Sequence, residues 1–114
     1  MSMTLATRNV SGVTIVDLSG KITLGEGGVT LREEVRKLLA NGSKKIVLNL
    51  GEVNYIDSSG LGELVSAYTA VKNAGGELKL LNLTSKVRDL LVITKLVTVF
   101  DVKDDEASAV SSFK

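Results

Sequence analysis

Hydroxyl and carboxylate side chains meet in one short stretch, YIDSSGLGEL at residues 55–64. Asp57, Ser58 and Ser59 follow an apolar run and precede a helical pattern, which places them at a predicted helix start. Side-chain oxygens at such a start accept hydrogen bonds from the free amides of the first turn, a purely structural use. A serine there can also carry a phosphoryl group, because the positive end of the helix dipole favours the added negative charge. The spacing alone leaves both uses open.

Two glycines lie in the first turn of this predicted helix. Gly60 and Gly62 each cost about 1 kcal/mol relative to alanine in a helix and do not help to cap it. Close packing of the helix on a sheet would explain them, and so would a smooth surface on which a second protein contacts the backbone. A phosphate on such a surface would leave the fold intact while opposing a docked partner by bulk and charge.

The composition of the chain limits other kinds of chemistry. The 114 residues include no cysteine and no histidine, which removes disulfides, thiolate nucleophiles, imidazole bases and most transition-metal sites. The hydroxyls then have only carboxylates as bases, so we expect no enzyme activity, no metal and no cofactor. Any phosphoryl donor would be a separate ATP-bound protein, because the chain is poor in phosphate-binding motifs.

Charge and hydropathy indicate the compartment and the class of partner. Lys and Arg total 14 against 13 acidic residues, and this net charge of +1 predicts no binding to nucleic acid or to an anionic membrane. The N-terminal run MSMTLATRNV lacks the pattern of a secretory signal, and Lys95 interrupts the longest apolar run. We therefore expect a cytoplasmic protein that does not insert into membranes.

Apolar periodicity predicts the elements that position the stretch. GVTIVDLSGKITL has a rough period of two and predicts a strand that Gly20 bends. A first helix is predicted from Thr30 to Ala40, after the glycine-rich run GEGG. KKIVLNL lacks clean alternation, which predicts a central strand buried on both faces. After the stretch, apolar residues three or four apart predict a second helix that NAGG closes.

The remaining sequence continues this alternation. ELKLLNL predicts a strand, TSKVRDLLVI a third helix that begins near Thr84 and Ser85, VTVF a short strand, and Asp104 the start of a terminal helix. The pattern predicts an α/β fold: a mixed sheet of about four to five strands with about four helices packed on it, and an antiparallel hairpin near the N-terminus. Length and the absence of proline indicate a single domain over residues 1–114.

Two other features allow functional interpretations. GEGG at residues 25–28 could hold an anion on its backbone amides, but it lacks the Gly-Lys-Ser/Thr end of a P-loop. We favour a flexible connection there and keep nucleotide binding as the lesser alternative. Tyr55 and Tyr68 are predicted to pack in the core or at its rim, because no base or nucleophile stands beside them.

The central run resembles a known family. NLGEVNYIDSSGLGEL, preceded by KKIVL and followed by AGGELKLLNLTSKVRDLLVITKL, is similar to the STAS domain family, in particular to bacterial anti-sigma factor antagonists. The likeness covers residues 44–100 well and residues 13–39 more loosely. A strand followed by Asp-Ser-Ser-Gly-Leu-Gly and an amphipathic helix is far more specific than a single glycine motif.

The resemblance implies a phosphorylation switch at Ser58, the serine that directly follows the aspartate. In antagonists of this family, an anti-sigma factor that is also a serine kinase phosphorylates that residue. The unphosphorylated form binds the kinase and frees a sigma factor, phosphorylation breaks the complex, and a phosphatase, expected to be PP2C-like, restores it. Asp57 would help to shape the docking site. The kinase would contact the helix start formed by Ser59, Gly60, Leu61 and Gly62.

The chain also departs from the family pattern. Many antagonists carry an acidic residue shortly after the glycine that matches Gly20, whereas this chain has Thr23 in that place, and we include Thr23 among the partner contacts. Lys95 stands where a glycine is common. The alternative function implied by the resemblance is that of a non-catalytic subunit of an ABC lipid transporter or of a stress-sensing scaffold.

Overall fold

The N-terminal part of the chain forms a hairpin. The computed structural model describes residues 3–23 and 26–113, and only the backbone at Glu26. Strand β1 (Met3–Val10) pairs antiparallel with β2 (Val13–Ile22). The two connecting residues have φ angles of 53° and 83°, as the tight turn of a two-residue hairpin requires. The predicted N-terminal hairpin is therefore confirmed.

Parallel strands complete the sheet. These are β3 (Lys45–Ile56), β4 (Glu77–Leu81) and β5 (Asp101–Lys103). The strand order is β1-β2-β3-β4-β5, and strands β2 to β5 run parallel to one another. The prediction of a mixed sheet with KKIVLNL as its central strand is confirmed, and the residues of β3 from Ile46 to Leu48 are fully buried.

Four helices pack on this sheet, as predicted: α1 (Glu26–Ala40), α2 (Ser58–Asn73), α3 (Ser85–Ile93) and α4 (Glu106–Ser111). The first three cover one face and share the main core with alternate strand residues such as Leu48. Helix α4 covers part of the other face through Ala109, which packs in a smaller apolar cluster with Val47. Within residues 3–23 and 26–113, no helix is both long and apolar enough to span a membrane.

The start of α1 corrects one prediction. Helix α1 begins at Glu26 and not at Thr30, so the flexible connection predicted for GEGG is wrong for residues 26–28. Gly25 lies outside the described residues. A Cβ atom on Gly27 would lie 2.6 Å from the carbonyl oxygen of Lys21. Glycine is therefore needed for close packing inside a helix, and this tertiary contact overrides the low helix propensity that suggested a loop.

The chain after α3 corrects two more boundaries. VTVF is not a strand: residues Leu96–Thr98 form a 3-10 turn, and the strand follows it as β5. Phe100 is buried and packs edge-to-face on Tyr68, with ring centroids 5.4 Å apart, so the apolar pattern reflects core packing and not pairing. The terminal helix begins at Glu106 and not at Asp104.

Candidate functional site at the start of helix α2

The ends of two parallel strands create the site. Ile22 at the end of β2 pairs with Ile56 at the end of β3, so Thr23 and Asp57 leave the sheet at the same edge. The amide of Asp57 donates a hydrogen bond to the carbonyl oxygen of Ile22 at 3.3 Å. A backbone hydrogen bond from Gly28 to the carbonyl oxygen of Thr23 brings the start of α1 to this edge as well. The carboxyl edge of a parallel sheet is where α/β proteins commonly place their binding sites.

Asp57 caps helix α2. Its backbone is extended, with φ −102° and ψ −178°, and its Oδ1 accepts a hydrogen bond from the amide of Gly60 at 2.7 Å. Its carbonyl oxygen accepts the amide of Leu61 at 2.9 Å, which begins the helical hydrogen-bond pattern. The structural use that the sequence suggested for this carboxylate is thus present, and it fixes the conformation of the turn that follows.

Ser58 and Ser59 are the first two residues of α2, and both are exposed. Amides in the first turn of a helix have no acceptor within the helix itself, and they lie at the positive end of its dipole. The first turn of α2 contains no acidic side chain. The hydroxyl groups therefore stand on the surface in an environment that favours an added anion.

The two glycines serve different purposes. A Cβ atom on Gly60 would lie 2.0 Å from the carbonyl oxygen of Ile22, so this residue permits close packing of the helix on β2. A Cβ atom on Gly62 would meet nothing within 4 Å, and Gly62 is exposed. The packing explanation thus applies to Gly60, whereas Gly62 leaves a smooth exposed surface on the helix.

The structure places the predicted contact residues on two sides of the turn. Ser58, Ser59 and Gly62 face the outside, whereas Gly60 and Leu61 face the interior. Leu61 is only 5% exposed and belongs to the main core. The first group is therefore accessible from solvent, and the second group holds the turn against the core.

An ion pair joins the two helices beside the site. Arg32 of α1 lies with its Nη2 3.3 Å from Oε2 of Glu63 in α2. The side chain of Glu63 also lies where a Cβ atom on Gly28 would be, since its Cγ would be 2.8 Å away. The starts of α1 and α2 are therefore packed against each other. The described part of the chain contains no cluster of metal-ligating side chains.

A groove beside the site was not predicted. Its volume is about 320 Å³, and it runs between the end of β3 and helix α3. Tyr55 is 47% exposed and lines this groove, so it packs at the rim, as the sequence allowed, while Tyr68 is half-buried. The available signal was the run LLVI in α3, which contains more apolar residues than one buried helical face requires.

Comparisons with known proteins identify relatives in sequence and in fold. The family model for the STAS domain matches residues 4–109. The anti-sigma-B factor antagonist of Bacillus subtilis (strain 168) is 37% identical over 87 residues, which cover 76% of this chain and 78% of that protein. The crystal structure of TM1081 from Thermotoga maritima has a TM-score of 0.87 at 26% identity and covers 95% of this chain and 92% of that one.

A third protein shares the fold at lower identity. The anti-sigma factor antagonist SpoIIAA from Bacillus has been solved in both phosphorylation states. The unphosphorylated form has a TM-score of 0.72 at 16% identity and covers 96% of each chain. The phosphorylated form has a TM-score of 0.74 at 18% identity and covers 97% of this chain and all of that one. The chain therefore belongs to the STAS domain family, alongside proteins named as anti-sigma factor antagonists.

Proposed function

We propose that this chain is a cytoplasmic, non-catalytic anti-sigma factor antagonist that is switched by phosphorylation of Ser58. The unphosphorylated form binds a serine-kinase anti-sigma factor and thereby frees a sigma factor. Phosphorylation ends this binding until a PP2C-like phosphatase removes the phosphate. The observation that carries the proposal is the exposed Ser58 side chain at the first residue of a 16-residue helix whose first turn lacks acidic residues.

The fold can carry a phosphate at Ser58. The group adds a charge of about −1.5 to −2 beside first-turn amides and the positive end of the dipole, where anions contribute roughly 0.3–1 kcal/mol of stability. The carboxylate of Asp57 is already engaged by the amide of Gly60 at 2.7 Å, so the cap does not depend on Ser58. SpoIIAA has this fold in its phosphorylated and unphosphorylated forms, which supports a switch without unfolding.

The same phosphate would oppose docking. Ser58, Ser59 and Gly62 present only small side chains, so a partner can approach the backbone of α2 closely. A phosphate placed in that contact adds bulk and a charge that must lose its water. We infer that binding is lost through steric and electrostatic conflict at the surface, while the domain underneath stays folded.

The remaining predicted site residues hold the turn. Asp57 caps it, Gly60 lets it pack on β2, and Leu61 anchors it in the core. Thr23 leaves the sheet beside Asp57, and we propose that it forms the edge of the docking surface where many antagonists have an acidic residue. Its different side chain would contribute to the choice of partner.

A phosphorylation assay tests the assignment. The chain is incubated with radiolabelled ATP and a kinase-type anti-sigma factor from the same organism. We expect Ser58→Ala to take up no phosphate and Ser59→Ala, the matched control, to be phosphorylated like the wild type. Full phosphorylation of Ser58→Ala would show that the site is wrong. A neighbouring ABC ATPase that binds wild type and Ser58→Asp equally would instead support the transporter-subunit alternative.

A further inference from the structure

An apolar groove lies beside the proposed switch. We define the α3 groove as the depression lined by Tyr55, Ile56, Lys86, Asp89, Leu90 and Ile93. The four α3 residues follow the pattern i, i+3, i+4, i+7, so they form one face of the helix, turned toward the end of β3. Tyr55 precedes Ser58 by only three residues, so the groove and the switch adjoin along the chain.

Large apolar side chains are unusually exposed in this groove. Ile93 is 76% exposed, the highest value among the exposed large apolar residues of the described part of the chain, and Tyr55 is 47% exposed. Single exposed apolar residues are ordinary, but an aliphatic and an aromatic side chain around one depression resemble the centre of a protein interface. Lys86 and Asp89 add a charge of each sign among the lining residues.

The switch residues alone are too small to support a stable complex. A specific interface covers about 800 Å² on each partner, which is roughly one-seventh of the 5933 Å² surface of this chain. Ser58 and Ser59 have small side chains and Gly62 has none, so these three residues supply only a minor part of that area. A partner that reaches Ser58 must therefore cover neighbouring surface. The α3 groove is a candidate for that surface because its lining residue Tyr55 lies three positions before Ser58.

We propose that the α3 groove is the anchor of the docking surface and receives a large apolar side chain of the same serine-kinase anti-sigma factor. The inference rests on the proposed function and assigns different roles to two parts of the interface. The groove supplies affinity through burial of Tyr55 and Ile93, and Ser58 supplies the switch. Anchors of this kind carry most of the binding energy in protein interfaces, while flat surroundings exclude water.

Calorimetric titration of the unphosphorylated chain into a kinase-type anti-sigma factor from the same organism tests the anchor. We expect Ile93→Asp to weaken binding at least about 30-fold, because a charge replaces a buried apolar contact. Val99→Asp is the matched control, since Val99 is 39% exposed but lies by Tyr68 and Lys72 near the other end of α2. It should bind within roughly twofold of the wild type, since surface changes outside an interface have small effects.

Two substitutions by alanine distinguish a loss of contact area from a loss of folding. Ile93→Ala and Tyr55→Ala remove contact area without adding charge, and each should weaken binding roughly tenfold with an unchanged circular dichroism spectrum. Wild-type affinity in Ile93→Asp, or an equal loss in Val99→Asp, would overturn the anchor. If the wild type neither binds the anti-sigma factor nor is phosphorylated at Ser58, the proposed function itself fails. If both occur normally and Ile93→Asp behaves like the wild type, only the anchor is wrong.

Discussion

Helices α2 and α4 begin with the same capping chemistry. Asp57 accepts the amide of the residue three positions later at 2.7 Å, and Asp105 does the same at 2.9 Å. Hydrogen bonds from that backbone amide and from the Ser108 side chain hold the pKa of the Asp105 carboxyl below its ordinary value. In both helices an aspartate in extended conformation thus satisfies a first-turn donor.

The residue that follows each cap differs. In α4 it is Glu106, whose Oε1 accepts a hydrogen bond from Arg8 at 2.7 Å, and this contact lowers the pKa of its carboxyl. In α2 it is Ser58, which is exposed and uncharged. Beyond its capping aspartate, the start of α4 thus carries a second anion in its first turn, whereas the first turn of α2 carries none. This difference supports the proposal that the start of α2, and not that of α4, accepts an added phosphate.

Substitution of Gly60 should have the largest effect on the α2 start. Gly60→Ala places a Cβ atom 2.0 Å from the carbonyl oxygen of Ile22, a backbone atom that cannot move alone. We expect the free energy of unfolding to fall by about 3 kcal/mol or more, as measured by urea denaturation. Gly62→Ala is the control and should gain about 0.5–1 kcal/mol, because alanine is favoured in open helix positions. Equal effects of the two substitutions would remove the distinction between the buried and exposed sides of the turn.

Loss of the cap should have the second-largest effect. Asp57→Ala leaves the amide of Gly60 without its acceptor and should lower the free energy of unfolding by about 1 kcal/mol. Asp57→Asn, which keeps an acceptor oxygen, should recover most of that loss. Denaturation of the two variants side by side tests this. If asparagine behaves like alanine, the cap does not act through this hydrogen bond.

An anion at Ser58 should have the smallest effect on stability. Ser58→Asp adds a charge at the position that Glu106 holds in α4, and we expect a gain of no more than about 1 kcal/mol, since the adjacent Asp57 partly offsets the dipole. Thermal unfolding of the wild type and the variant measures it. A large loss of stability would mean that the α2 start does not accept negative charge and that the comparison with α4 fails.

The sequence predicted the fold because its apolar periodicity is consistent along most of the chain. It also placed Ser58 at the start of α2, because Asp57 and the following serines are residues that cap helices. It failed where tertiary contacts decide the outcome. Gly27 lies inside helix α1, at a position where β2 approaches too closely for any side chain, so glycine here does not indicate a loop. Periodicity could not separate the roles of Gly60 and Gly62 either, since both fall in the same turn.

The α3 groove shows a second limit of prediction. The run LLVI fits a helix, yet sequence alone does not show that Leu91 is buried while Ile93 is left exposed. Which face turns inward depends on how α3 packs against the end of β3. Tyr55 posed the same problem, because a tyrosine near the end of a strand can lie in the core or at its rim.

Binding before and after phosphorylation tests the central claim most directly. The purified chain, unmodified or fully phosphorylated on Ser58, is titrated into a kinase-type anti-sigma factor from the same organism, with circular dichroism as the check on folding. We predict that the unmodified chain binds and that the phosphorylated chain binds at least about tenfold more weakly, with the same circular dichroism spectrum. Equal affinity of the two forms, or loss of binding through unfolding, would contradict the account.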